Sequence, residues 1–209
     1  MAKTIIFERT SDGGVTKCNL SQRHLTAMQA SGFGWDDAKI ATEIAKWEAA
    51  GKTSEVATNW CNAIGKGGKT EDEALAVFVA FLNKSDYSAS HIVEDSSLPT
   101  EMQSTATAEQ RYFRDAQVWS SDNVAVDLTK AKAVHLGRIR LARNTELANQ
   151  DIEYTKAVEA DDASKKSEVS TLKQTLRDIP ATFDMSSYDT ADKLKAGWPS
   201  ELPDREELE

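Results

Sequence analysis

The stretch Gly65-Lys66-Gly67-Gly68-Lys69-Thr70 holds the residue types of a phosphate-binding loop. In such a loop successive backbone N–H groups wrap the phosphates, while a lysine and a hydroxyl reach phosphate and magnesium. The required spacing is G-x-x-x-x-G-K-[ST]. Gly68, Lys69 and Thr70 supply its second half, but position 63, where the first glycine belongs, is Ala63. The loop should also follow a buried strand, and here it follows the helical spacing of Val56, Trp60 and Ile64. The residues therefore read as a glycine stop for one helix, with Thr70 capping the next. A nucleotide hydrolase using Lys69 is the weakest functional reading.

The other chemistry-bearing residues are scattered. His24, His91 and His135 have no i, i+4 partner and no nearby cysteine pair, whereas zinc needs three or four convergent ligands. Cys18 and Cys61 lie far apart, as expected of two buried or half-buried thiols in a reducing setting. No catalytic residue, cofactor or metal site is expected, and the chain reads as a non-enzyme. Lys130, Lys132, Arg138, Arg140 and Arg143 form a run with no acid inside it. Without interleaved aromatic residues it reads as the solvated side of a helix, or as a surface for an acidic protein partner. The net charge of −9 argues against nucleic acid as a ligand of the whole chain.

The elements that would carry these residues follow from periodicity. Two β-branched runs, 3–9 and 15–20, flank Ser11-Asp12-Gly13-Gly14 and predict a hairpin. Helical spacing then takes over. A short helix is expected over 21–31. Ile40, Ile44 and Trp47 define a second helix after Asp36-Asp37, and Val56, Trp60 and Ile64 a third. Leu75, Phe78, Val79 and Leu82 define a fourth, opened by the capping-box pair Thr70 and Glu73. Trp35, Trp47 and Trp60 are the expected core of this insert. Residues 90–94 read as a strand ended by Leu98-Pro99, and 112–119 with 124–128 read as a second hairpin about Ser121-Asp122-Asn123.

Residues 126–180 hold one glycine, Gly137, and no proline before Pro180. A helix over 129–159, a turn at Ala160-Asp161-Asp162 and a returning helix ended by Pro180 make an antiparallel hairpin. The long helix carries two apolar stripes. One holds Val134, Leu141, Ala148 and Ile152, and the other Leu136, Leu147, Tyr154 and Val158. The returning stripe of Val169, Leu172, Leu176 and Ile179 is narrow enough to cover only one of them. The other needs the N-terminal domain or another chain; if a partner covers it, the expected contact face is Leu136, Arg140, Arg143, Leu147 and Tyr154, and it also permits self-association. A short helix over 190–198 and an acidic tail over 204–209 complete the chain.

The expected class is α+β: a small antiparallel β-sheet interrupted by a helical insert (about 21–84) within residues 1–128. A long helical hairpin with a short C-terminal helix follows over 129–209. MAKTIIFERT is too short in apolar residues for a signal peptide, and no run approaches a membrane span. The expected setting is therefore a cytoplasm, with no membrane partner.

The quoted segments together carry a resemblance. KTIIFERTSDGGV, SASHIVEDSSLP, RYFRDAQVW, KAKAVHLGRIRLARNTELANQDIEY, LKQTLRDIP and TADKLKAGWPSELP resemble small proteins encoded among the tail genes of tailed bacteriophages. The likeness covers roughly the first 20 residues and most of the chain after Thr70, while 21–68 departs from the shorter pattern. It implies a β-rich module before a helical hairpin. It also implies a tail-associated virion structural protein, an adaptor or fibre-proximal component contacting other tail proteins. The alternative it allows is a tail or tail-fibre assembly chaperone left out of the particle. It supplies no catalytic or cofactor residue.

Overall fold

The computed structural model describes residues 3–82, 85–103, 105–107 and 110–205. The fold is α+β, with seven α-helices and two small antiparallel sheets among the described residues. The chain divides into two compact units, 1–105 with 118–124 and 106–117 with 125–209.

In the first unit, β1 (Lys3–Arg9), β2 (Val15–Cys18) and β3 (Tyr87–Glu94) form a sheet in the order β2-β1-β3. The central strand is buried on both faces, which explains its unbroken Ile5-Ile6-Phe7 run. Ile5 and Phe7 pack on a helical layer, and Ile6 packs with Val15, Leu98, Met102 and Val124. The helical layer is α1 (Gln22–Gln29), α2 (Asp37–Ala49), α3 (Ser54–Lys66) and α4 (Glu71–Leu82). Each starts at a residue suited to bond its first orphan N–H groups. Asp36 accepts from Lys39 N–H at 2.7 Å, and at α4 Thr70 N–H donates to Glu73 Oε2 at 2.8 Å. Trp60 stacks on Phe81 at 4.3 Å between ring centroids, and Trp47 meets the same ring edge-on. The tryptophans thus form the core expected of them.

The glycine-rich loop is laced into the end of α1. Gly68 N–H donates to Ala30 O at 2.7 Å, and Lys69 N–H donates to Met28 O at 2.8 Å. In return, Phe33 N–H donates to Ile64 O at 2.8 Å. The backbone donors that a phosphate loop would offer are spent on closing two helix ends against each other.

In the second unit, α5 (Leu128–Glu159) and α6 (Ala163–Thr182) form the antiparallel hairpin. Asp127 caps α5 by accepting from Lys130 N–H at 2.9 Å, and Asp162 caps α6 by accepting from Lys165 N–H at 2.9 Å. The turn between them places Asp161 at φ 50°. Their shared core holds Ile139, Ala142, Leu176 and Ile179. The short α7 (Ala191–Ala196) packs its buried Leu194 with Tyr112, Phe113, Ala116 and Ala131.

Four expectations change. Residues 112–116 form a turn that runs into a 3-10 helix, Arg114–Ala116, rather than a strand: Tyr112 and Phe113 are adjacent and both buried, which a one-sided strand forbids. The second hairpin is therefore shorter, β4 (Gln117–Ser120) with β5 (Asn123–Val126). Residues 106–117 also belong with the helical hairpin, so the two units do not divide at 128. Finally, α6 continues two residues past Pro180, because a proline in the last turn removes only a terminal hydrogen bond. The acidic tail over 204–209 lies largely outside the described residues.

Candidate functional site

The densest chemistry in the second unit surrounds His135, on the buried side of α5 and inaccessible to solvent. Its Nδ1 shares a hydrogen bond of 2.8 Å with the Tyr112 hydroxyl. The other nitrogen, Nε2, is buried toward the Gly197 backbone and makes no hydrogen bond of normal geometry among the described residues. Phe183 and Trp198 lie against the imidazole, each at 5.9 Å between ring centroids. Three cations ring the tyrosine: Arg138 at 4.1 Å, Arg205 at 4.8 Å and Lys195 at 5.7 Å from its centroid. Arg138 also donates to Tyr112 O at 3.4 Å. It is therefore a packing residue, in contrast to the solvated role expected of the basic run.

Burial pushes the His135 pKa down from 6.5 to about 4; the Gly197 backbone opposes this, and Arg205 and Arg138 add to it. The imidazole is neutral at pH 7 and cut off from solvent, so it serves as a pin on α5, hydrogen-bonded to Tyr112 and packed against Phe183 and Trp198 of the C-terminal segment. The folded pKa is depressed, so the unfolded chain binds the extra proton between about pH 6.5 and 4. Stability is then fully present above pH 6.5 and falls by about 3 kcal/mol as pH drops through that window. Urea unfolding of the second unit at pH 7, 5 and 4 measures this, and His135→Gln is expected to remove that part of the slope.

The first unit holds a second histidine arrangement. His91 Nε2 meets Glu8 Oε1 at 2.7 Å, and its ring stacks on Trp119 at 3.8 Å. Among the described residues no three His, Cys, Asp or Glu side chains converge as a metal site, and no helix is long and apolar enough to cross a membrane.

The expected contact residues are spread along one flank of α5. Arg140 and Tyr154 are exposed, Leu136 and Arg143 half-buried, and Arg143 bonds Asn144. Leu147 is half-buried in the hairpin core with Leu172, and the Lys173 ammonium sits 5.3 Å from the Tyr154 ring. Neither apolar stripe lies at the centre of the buried side of α5. That side runs through Ala131, His135, Ile139, Ala142 and Ala157, whose mostly small side chains allow close approach. Both stripes flank it, leaving Leu141 69%, Ile152 57% and Val158 49% exposed. Leu141 and Ile152, assigned to the other stripe by spacing alone, are thus the most open large apolar residues among the described residues of the hairpin. Tyr112 was hidden from sequence reasoning because it pairs with His135 across 23 positions.

Comparison with family models, with curated proteins and with solved structures finds no match.

Proposed function

We propose that this chain is a tail-associated structural protein of a tailed bacteriophage, an adaptor or fibre-proximal component that works through contacts with other tail proteins. The family part of this reading rests on the resemblance of the quoted segments. The observation that supports a contact role is the row of open apolar side chains on α5. Leu141, Ile152 and Val158 are spread over about 25 Å of one helix and lie on both flanks of its covered side. A lone exposed leucine is ordinary, whereas Leu141 and Ile152, open together on one flank of a long helix, suit a surface that an assembled partner would cover. In this role α5 is the docking element, and the His135 centre fixes its N-terminal half. Mass spectrometry of purified particles tests the assignment: the chain is expected among the tail proteins. Its presence in lysate alone would instead favour an assembly chaperone.

A further inference from the structure

The first unit carries an open sheet edge of unusual composition. β3 is the outer strand on one side of the sheet, and its pairing with β1 is its only ladder among the described residues. In an antiparallel pair alternate residues turn their N–H and C=O away from the partner, so β3 turns a row of donors and acceptors outward, of which Glu94 O accepts from Ser97 Oγ at 2.8 Å. Edge strands are usually blunted by shortness, charge, proline or a bulge. The opposite edge, β2, is only four residues long and carries Lys17. β3 has eight residues and, from Tyr87 to Val93, no Asp, Glu, Lys, Arg or Pro, while His91 pairs with Glu8 of β1. Its one irregularity lies opposite Glu8 and Arg9, which leaves 89–94 in regular register over about 20 Å. Ser88, Ala89, Ser90 and Ile92 are exposed.

Beside this edge runs a groove of about 550 Å³, walled by Ala76, Val79 and Ala80 of α4 and by Ser90 and Ile92 of β3. The helix turns its small side chains to the groove and keeps its large ones, Leu75 and Phe81, in the core. A strand laid along β3 would therefore find both backbone partners and room for every second side chain.

Charge selects the occupant. Ser90, Ile92 and Glu94 share one face of β3, and Glu94 Oε2 is buried with no hydrogen-bond partner among the described residues. Glu71, Asp72 and Glu73 stand at the start of α4, where Lys3 pairs with Asp72 and its backbone N–H reaches Glu71. Asp86 closes the other end of the strand. The groove itself is lined by small, apolar and hydroxyl side chains, and carboxylates stand beyond both of its ends, outnumbering Lys3 at the Glu94 end. A second copy pairing antiparallel through its own β3 would set Asp86 against Glu94 and Asp95, like charge facing like charge, in a chain of net charge −9.

We propose that the β3 edge and α4 form a strand-addition site for an extended, uncharged segment of a partner protein flanked by Lys or Arg. The site is separate from the α5 surface and does not depend on the phage assignment. The probe is a ten-residue peptide of alternating Ser and Val with Lys at both ends, compared with the same peptide ending in Glu. Fluorescence anisotropy is expected to show saturable binding of the Lys form, at least about tenfold tighter than the Glu form. Amide exchange at alternate residues of 89–92 should slow on binding. Combining Ala76→Gln with Ala80→Gln fills the groove on an exposed helix face and should weaken binding about tenfold with the melting curve unchanged. Three results would overturn the proposal: no saturable binding of either peptide, equal binding of both, or protection of β3 that grows with protein concentration alone. The last would make a second copy the occupant.

Discussion

Tyr112→Ala is expected to destabilise the second unit by about 4–5 kcal/mol, near the upper end for removal of a large buried aromatic. Its ring is 2% exposed and packs edge-on against Phe113 at 4.7 Å. Truncation would open a cavity beneath three cations and strip His135 of its Nδ1 partner. Tyr112→Phe separates these effects, because it keeps the ring and removes only the hydroxyl. Leaving one buried imidazole nitrogen unbonded is expected to cost about 1–3 kcal/mol. Native-state hydrogen exchange along 128–142 reads both. If the two variants behave alike, the hydroxyl–imidazole bond dominates; if Tyr112→Ala costs under about 2 kcal/mol, the centre does not hold this unit together.

Gly67→Ala is expected to destabilise the first unit by about 3–5 kcal/mol, combining backbone strain with a steric clash. Gly67 has φ 71° and ψ −146°, a region closed to residues with a Cβ. A Cβ there would stand 2.1 Å from Ala30 O and 2.4 Å from Gly32 N. Gly68 provides the internal control, with φ 75° and nothing within 4 Å of an added Cβ. Gly68→Ala should cost only about 1–2 kcal/mol, the strain of a left-handed alanine. Urea unfolding followed by tryptophan fluorescence reports this, since Trp35, Trp47 and Trp60 all lie in this helical core. Equal losses from the two variants would mean that the close crossing of α1 and α3 ends contributes nothing.

These residues also mark where the sequence could be read and where it could not. Local chemistry was legible: Asp36 and Thr70 stand at two helix starts, and the spacing of Ile40 with Trp47 and of Val56 with Ile64 placed α2 and α3. The α+β class and the long hairpin followed from the same periodicity. Features set by tertiary contact were not legible. The role of Gly67 depends on Ala30, 37 positions away. The buried side of α5 was hidden because Ala131, Ala142 and Ala157 give a weak hydropathy signal and His135 a polar one. β3 was read only from 90, because Ser88, Ala89 and Ser90 alternate no apolar residues. For the same reason its edge and the Ala76–Ala80 wall gave no hint of a groove. Of the contact face, the residues foreseen lie on one flank of α5, and Leu141 and Ile152 on the other are more open.

The contact role of α5 is tested most directly by placing a photo-crosslinking amino acid at Ile152, a position 57% exposed on the hairpin, and irradiating assembled phage particles. The account predicts that the chain is recovered from purified particles joined to another tail protein, and that Ile152→Asp lowers its incorporation. Recovery of the chain from lysate but never from purified particles would contradict it.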